Sequence, residues 1–322
     1  MRLLRITMAA AVASTALAVP PSANAIPPTA APGCRIFPNN NVWHAKVTGL
    51  SVHRRSKQWT RAMGGKGQLL HPDFGPSDDP AHPYGIASNV VDGTYPKQVV
   101  DFSYADESDP GPYPVGPDTH VEHGSDRHAL VIERDACVLY EIFDFDWNGG
   151  DPQGGSGAVW DLGSNALRPR TWTSADAAGL PLFAGLIRRD EIAAGVIDHA
   201  IRVTAEATDR KFVWPARHQA GARRDPRLPP MGARFRLKTT YPMRGYHPET
   251  QIVLRAMKRY GLILADNGSN WFFGGAEDAG WPDQVLDELK SIPAGAFVAV
   301  ATGRMKVSPD SAAVKRRYVG IL

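Results

Sequence analysis

The chain has 322 residues, with 36 Lys and Arg against 33 Asp and Glu, a formal charge of +3 and two cysteines. That length gives one large domain or two small ones, and the absence of a repeat period or Ser/Gly-rich linker favours one. The near-neutral charge excludes the electrostatic footprint of a nucleic-acid binder. A lone apolar run at the start, too short for the ~20 residues of a membrane span, excludes a membrane anchor.

Residues 1–25 read as a signal peptide: Arg2 and Arg5, an apolar run over 6–19, then Ala23-Asn24-Ala25 as the cleavage site. The mature chain is expected to start near Ile26, outside the cell, with a charge of about +1 once Arg2 and Arg5 are removed. Residues 26–33 form a loose Pro-rich leader, residues 34–303 a single β-rich domain, and residues 304–322 a basic tail whose Lys315-Arg316-Arg317 is solvated. In an exported chain, Cys34 and Cys137 suggest a disulfide. The alternative, a catalytic thiol, is disfavoured because Cys137 lies in an apolar strand-like run without a cation on its face.

Helix is expected at 55–63, 186–194, 248–260 and 283–290. The third carries Ile252, Val253, Ala256, Met257 and Tyr260 on one face, with Gly261 as its stop. Strands are expected within 85–104, at 128–133 and 138–143 around a turn at Arg134-Asp135, and at 158–162, 196–204 and 212–214. Others follow at 233–238, where Ala233, Phe235 and Leu237 alternate with Arg234, Arg236 and Lys238 in a half-buried pattern, and at 262–266, 271–273 and 297–300. Strands without a βαβ rhythm imply a mainly β fold, a β-sandwich or jelly-roll-like core with a few packed helices.

Polar groups set in apolar strands mark the candidate site. His128 and His199 share strand faces with aliphatic residues, and His218 follows the strand-like 212–214; each has a charged neighbour, Arg127, Asp198 and Arg217. Each alone reads as a core histidine with one partner; together they point to a site, because ionisable groups are rarely buried unpaired. Glu141 alternates with Phe143 and Phe145, Asp161 sits inside 157–162, and Asp266 precedes the turn Asn267-Gly268-Ser269-Asn270, where a turn cap is the competing role. Asp190 and Glu191 read as the solvated face of a helix. Trp172 and Trp271 lie beside these polar segments, and an indole face next to amides and carboxylates suits a sugar ring.

Sharper motifs are incomplete. Gly154-Gly155-Ser156-Gly157-Ala158 lacks the last glycine of a nucleophile elbow. His120-Val121-Glu122-His123, with Asp126 and His128, could bind a metal but lacks the helix and full zincin motif and reads as a polar loop, and residues 106–111 do not match an EF-hand loop. Ile26 in place of a histidine at the expected mature start excludes a copper monooxygenase of polysaccharides. No cofactor or metal is expected.

The chain resembles a family of secreted, largely uncharacterised bacterial and fungal proteins. The resemblance is carried by Ile36-Phe-Pro-Asn-Asn40, His71-Pro-Asp-Phe-Gly75, Tyr104-Ala-Asp-Glu-Ser-Asp-Pro-Gly-Pro-Tyr-Pro114, Asp126-Arg-His128, Leu139-Tyr-Glu141, Gly155-Ser-Gly-Ala158, Ser164-Asn-Ala-Leu-Arg-Pro169, Trp172-Thr-Ser-Ala-Asp-Ala-Ala-Gly-Leu-Pro181, Trp214-Pro-Ala-Arg-His218 and Ala265-Asp-Asn-Gly-Ser-Asn-Trp271. It spans about residues 34–300 and implies one shared architecture for these polar segments, with no activity attached.

The expectation is a secreted carbohydrate-active protein, most simply a glycoside hydrolase working through a carboxylate pair. Glu141, Asp161 and Asp266 are its candidate acids. His128, His199, His218, Arg127, Asn267, Trp172 and Trp271 are its candidate substrate contacts, and a glycan is its partner. The rivals are a non-catalytic glycan-binding protein and a secreted esterase or peptidase using Ser156 or a His-bound metal.

Overall fold

The computed structural model describes residues 26–320; the expected signal peptide lies outside the described residues. The strands are β1 (His71–Asp73), β2 (Ser88–Val91), β3 (Asp101–Phe102), β4 (Ala129–Glu133), β5 (Val138–Phe143), β6 (Gln153–Gly154) and β7 (Ser156–Asp161). They continue with β8 (Ile201–Ala205), β9 (Asp209–Phe212), β10 (Pro230–Met231), β11 (Arg234–Leu237), β12 (Leu262–Asn267), β13 (Phe272–Gly274) and β14 (Phe297–Val300). The α-helices are α1 (Ser56–Ala62), α2 (Arg189–Ala193), α3 (Pro248–Arg259) and α4 (Asp283–Lys290).

The fold is mainly β. A six-stranded sheet runs β1-β13-β8-β12-β11-β14, and a four-stranded sheet runs β2-β4-β5-β7. The β4–β5 hairpin forms where the sequence places it, with Ala129 opposite Ile142 and Glu133 opposite Val138. Its alternation serves two cores. Leu130, Ile132, Leu139 and Trp160 face the six-stranded sheet and join one continuous apolar cluster with Ile201, Val203, Leu262 and Leu264. Ala129, Val131, Tyr140 and Ile142 face the other way, onto Val100, Phe102, Tyr113 and Val115. Two sheets on one shared interior make a sandwich-like domain. Each fully buried large apolar side chain there contributes about 1.5–3 kcal/mol.

The strands on either side of residues 267–271 do not pair with each other. β8 lies between them, parallel to β12 and antiparallel to β13, so the chain arches over the end of β8. The Gly268 and Trp271 amides donate to the Ala205 and Thr204 carbonyls, and Thr204 Oγ1 donates to the Ser269 carbonyl. Gly268 has φ +148°, and a Cβ there would lie 3.2 Å from the Thr204 side chain, so the arch needs glycine.

Other expectations change. Residues 26–33 are docked: Ala31 is fully buried, the Thr29 amide donates to Asp190, and Arg188 donates to the Ile26 carbonyl. The 304–320 segment is built into the fold through buried Met305, Ala312 and Val314, although Lys315, Arg316 and Arg317 are exposed as expected. The strand expected from 196 begins at Ile201, and the helix expected over 186–194 is only α2. Strand β11 is buried on both faces. Arg234 donates to the carbonyls of Tyr260, Val42 and Ala45, and Arg236 to those of Val47, Thr48 and Leu50. The N-terminal segment therefore covers the face that alternation would leave to solvent. Glu191 is buried as well, bonded to His199 at 2.9 Å and to Arg188 at 3.2 Å, so α2 does not present it to water.

Cys34 and Cys137 form a disulfide with Cα atoms 5.1 Å apart, tying the N-terminal segment to the β4–β5 turn. Among the described residues no helix is long and apolar enough to cross a membrane.

Candidate functional site

A pocket of about 290 Å³ opens between the two sheets, lined by Tyr104, Glu107, Phe143, Ser156, residues 173–175, Ala177, His218 and Asp266. That volume is at the small end of ligand pockets, roughly 300–1,000 Å³, and suits one ring or one residue of a longer ligand. Asp266 enters it because the β12–β8 register slips between Leu264 and Asp266. Such a bulge re-aims the side chain that follows it.

The wall formed by residues 173–178 is pinned carbonyl by carbonyl. Arg168 Nε donates to the Thr173 carbonyl at 2.7 Å, Ser156 Oγ to Ser174 at 2.8 Å and the Ser174 hydroxyl to Asp176 at 2.7 Å. His128 Nε2 meets the Ala175 carbonyl at 3.1 Å, and His218 Nδ1 meets that of Ala177 at 2.8 Å. The Arg217 amide donates to the Ala178 carbonyl at 2.8 Å. Glu107 accepts from the Thr173 amide at 2.9 Å. A wall held from so many directions is pre-organised.

Behind the wall lies a buried charged seam. Asp176, wholly inaccessible, takes a two-pronged hydrogen bond from Arg202 of β8, and Arg202 Nη2 also stands 3.7 Å from Asp266 Oδ2. Burial and the neighbouring Asp176 carboxylate push the Asp266 carboxyl up to about 8, despite Arg202 and His128. That direction favours the protonated form, which a general acid needs. Asp73, on edge strand β1, is raised mainly by burial, with Arg202 opposing. Across the pocket, Glu107 Oε2 lies 3.8 Å from His218 Nε2.

Of the expected residues, His218 and Asp266 line this pocket, and His128 supports its wall from behind. The others do not join them. Glu141 is fully buried, its oxygens filled by the Trp160 indole N–H and the Leu182 and Phe183 amides; burial pushes it up to about 7 against those three donors. It is a structural acceptor in the core. Asp161 caps a turn by accepting from the Gly163 amide on an exposed strand end. His199 bonds Glu191 and the Ala200 carbonyl. Arg127 donates to the Phe145 carbonyl, and Asn267 joins Thr208 to the Ala220 carbonyl. Trp271 is wholly buried, its N–H donating to the Met63 carbonyl, so it offers no face to a sugar. Trp172 is half-buried with the Arg168 guanidinium 5.4 Å from its ring. The aromatic lining of the pocket is Tyr104 and Phe143 instead.

Glu107, Asp176 and Arg202 escape a reading of the sequence, although each leaves a signal. Arg202 breaks the aliphatic run of β8, Asp176 stands among small residues, and Glu107 sits in an oxygen-rich turn. Ser156 gives its hydrogen to the Ser174 carbonyl and so serves the wall, not a catalytic base. Of the residues considered as metal ligands, Glu122 binds His128, His120 binds Glu277, and His123 stacks on His82. Among the described residues no group of three or more His, Cys, Asp or Glu is placed to hold a metal ion. Comparison with protein-family models, with curated proteins and with solved structures finds no match to this chain.

Proposed function

We propose that this is a secreted glycoside hydrolase whose catalytic pocket is the one floored by Asp266. One observation carries the reading: Asp266, its carboxyl pushed up by burial and by the Asp176 carboxylate, faces a small open pocket that also presents a second carboxyl-bearing residue, Glu107. Glycosidic cleavage needs that division of labour, with an acid to protonate the leaving oxygen and a carboxylate to activate water or attack the anomeric carbon. Asp266 takes the first role and Glu107 the second, with His218 beside Glu107. Tyr104, half-exposed, and Phe143 supply apolar surface for a sugar's C–H face. The hydroxyl of Thr173 and the pinned backbone supply polar partners. Export is supported by the Ala23-Asn24-Ala25 signature and by the disulfide.

The test is digestion of a panel of polysaccharides by the purified protein, with reducing ends measured. Asp266→Asn and Glu107→Gln are each expected to lower turnover by roughly 10²–10⁴-fold, the usual worth of a positioned acid or base, with the melting temperature retained. Wild-type protein that binds a glycan and never cleaves one refutes hydrolysis and makes the pocket a binding site. Undiminished turnover in both variants refutes the assignment of the acids.

A further inference from the structure

His128 stands out among the groups behind the wall because both of its ring nitrogens face acceptors. Nδ1 is 2.5 Å from Glu122 Oε2, and Nε2 is 3.1 Å from the Ala175 carbonyl oxygen. A neutral imidazole has one donor nitrogen and one acceptor nitrogen, so it satisfies only one of these partners; an imidazolium donates to both. The ring is 3% exposed, so water cannot replace a lost partner. Glu122 gives the matching charge: burial works against it, yet the hydrogen bond and attraction of His128 hold its carboxyl below the ordinary range.

We propose that His128 is a positioning residue of this pocket, an imidazolium that fastens the Ala175 carbonyl of the wall with one N–H and Glu122 with the other, so that loss of its proton unfastens the wall. The inference rests on the pocket being the ligand site only for its effect on turnover; the protonation state and the wall contact stand apart from that reading. The titratable and charged groups that face His128 are Glu122 from the segment before β4, Asp176 from the wall, Arg202 from β8 and the raised Asp266 from β12. Phe143 of β5 packs against the ring, with centroids 5.9 Å apart. Burial and Arg202 oppose the charge, while Glu122 and Asp176 favour it, and the balance lies above the ordinary histidine value. Deprotonation leaves either the Ala175 carbonyl or the Glu122 carboxylate facing a lone pair. Ala175 carries the main chain between Ser174 and Asp176, so a shift there moves both the pocket lining and the carboxylate beside Asp266.

The experiment is ring-nitrogen NMR of the full chain labelled in histidine, with His128 assigned through its backbone, across about pH 5–10. Both ring nitrogens are expected to be protonated at pH 7, and a bare nitrogen at that pH overturns the proposal whether or not any glycan is cleaved. Glu122→Gln removes the counter-charge while keeping an acceptor. It is expected to lower the His128 titration by roughly 1–3 pH units, the usual effect of one close opposite charge. The alkaline limb of glycan turnover, set by whichever of His128 and Asp266 loses its proton first, should move down with it. A Glu122→Gln protein that merely melts earlier, with the titration and the limb unmoved, shows a purely structural histidine and overturns the proposal. If no polysaccharide is turned over, the hydrolase reading fails alone, and the titrations in wild type and variant still decide the state of His128.

Discussion

Glu141 and Asp266 show how little a carboxyl's burial says about its role. Both are raised, to about 7 and about 8. Glu141 has its oxygens filled by three N–H donors in the core, whereas Asp266 opens on a pocket and accepts only from the Asn267 amide. Glu141→Gln replaces one accepting oxygen with a donor that faces a donor. It should lower stability by about 1–3 kcal/mol and leave turnover below its melting temperature unchanged, a pattern opposite to that of Asp266→Asn; chemical denaturation alongside the activity assay separates them. From the sequence both residues are simply acids in apolar strands. Alternation exposes the anomaly but not its cause, because the donors that satisfy Glu141 come from residues 182–183, far along the chain. Arg234 is hidden in the same way. Its guanidinium, which burial pushes down to about 9, serves three carbonyls brought in by other segments. Arg234→Met leaves these carbonyls without that donor and should lower stability in equilibrium unfolding, by about 1–3 kcal/mol for each acceptor left unsatisfied.

At the level of elements, periodicity found what local sequence determines. The β4–β5 hairpin, α1, α3 with Gly261 at φ +74°, α4 and β14 lie within a residue or two of expectation. The ends of the chain were less legible, because proline and basic residues look like solvent-facing polymer until their few apolar side chains find a partner. Met305, Ala312 and Val314 are such side chains, and the Pro309 carbonyl and Asp310 also receive the Arg217 guanidinium. Truncation after Gly303 is therefore expected to do more than remove charge. Burying three apolar residues is worth several kcal/mol at about 0.8 kcal/mol per methylene, and the shortened chain should melt well below the full one in a thermal scan. The bridge from Cys34 to Cys137 closes a separation of 103 residues. Its reduction should destabilise by roughly 4–5 kcal/mol in the chain-entropy treatment, readable as the shift in denaturation midpoint with and without reductant.

Across the whole molecule, four buried titratable groups are raised. His128 and His199 are raised by their carboxylate partners against burial, and Asp266 and Glu141 are raised by burial. A group whose folded value lies above its unfolded one stabilises fully below the unfolded value, and that stability is lost as pH climbs through the folded value. The losses run from about 4 to about 8 for the two carboxyls and begin above the ordinary histidine value for His128 and His199. Opposing them, Glu122 and Glu191 lie below the ordinary range and cost stability only as they protonate in acid. Melting temperature should thus peak on the mildly acidic side and fall between about pH 5 and pH 9; a maximum at pH 8 or above contradicts the pairing described here. Of the polar residues that the sequence suggests for one site, only His218 and Asp266 line the pocket, while Glu141, Asp161 and His199 find separate partners. The sequence could not say which acid would face the cavity, because that choice is made by a register slip in β12 and by which neighbours arrive to fill each oxygen.

The arch over β8 also dictates an order of assembly. Strands that follow each other closely usually zip together early, as a hairpin at small entropic cost. Here β12 and β13 cannot, because their shared neighbour comes from far upstream and must already be seated between them. Loop closure over the intervening chain is met before β8 gains its bonds to either strand, which slows folding in topologies rich in non-local pairs. Asp266 sits where β12 meets the arch, so it reaches its final surroundings only when the centre of the sheet closes.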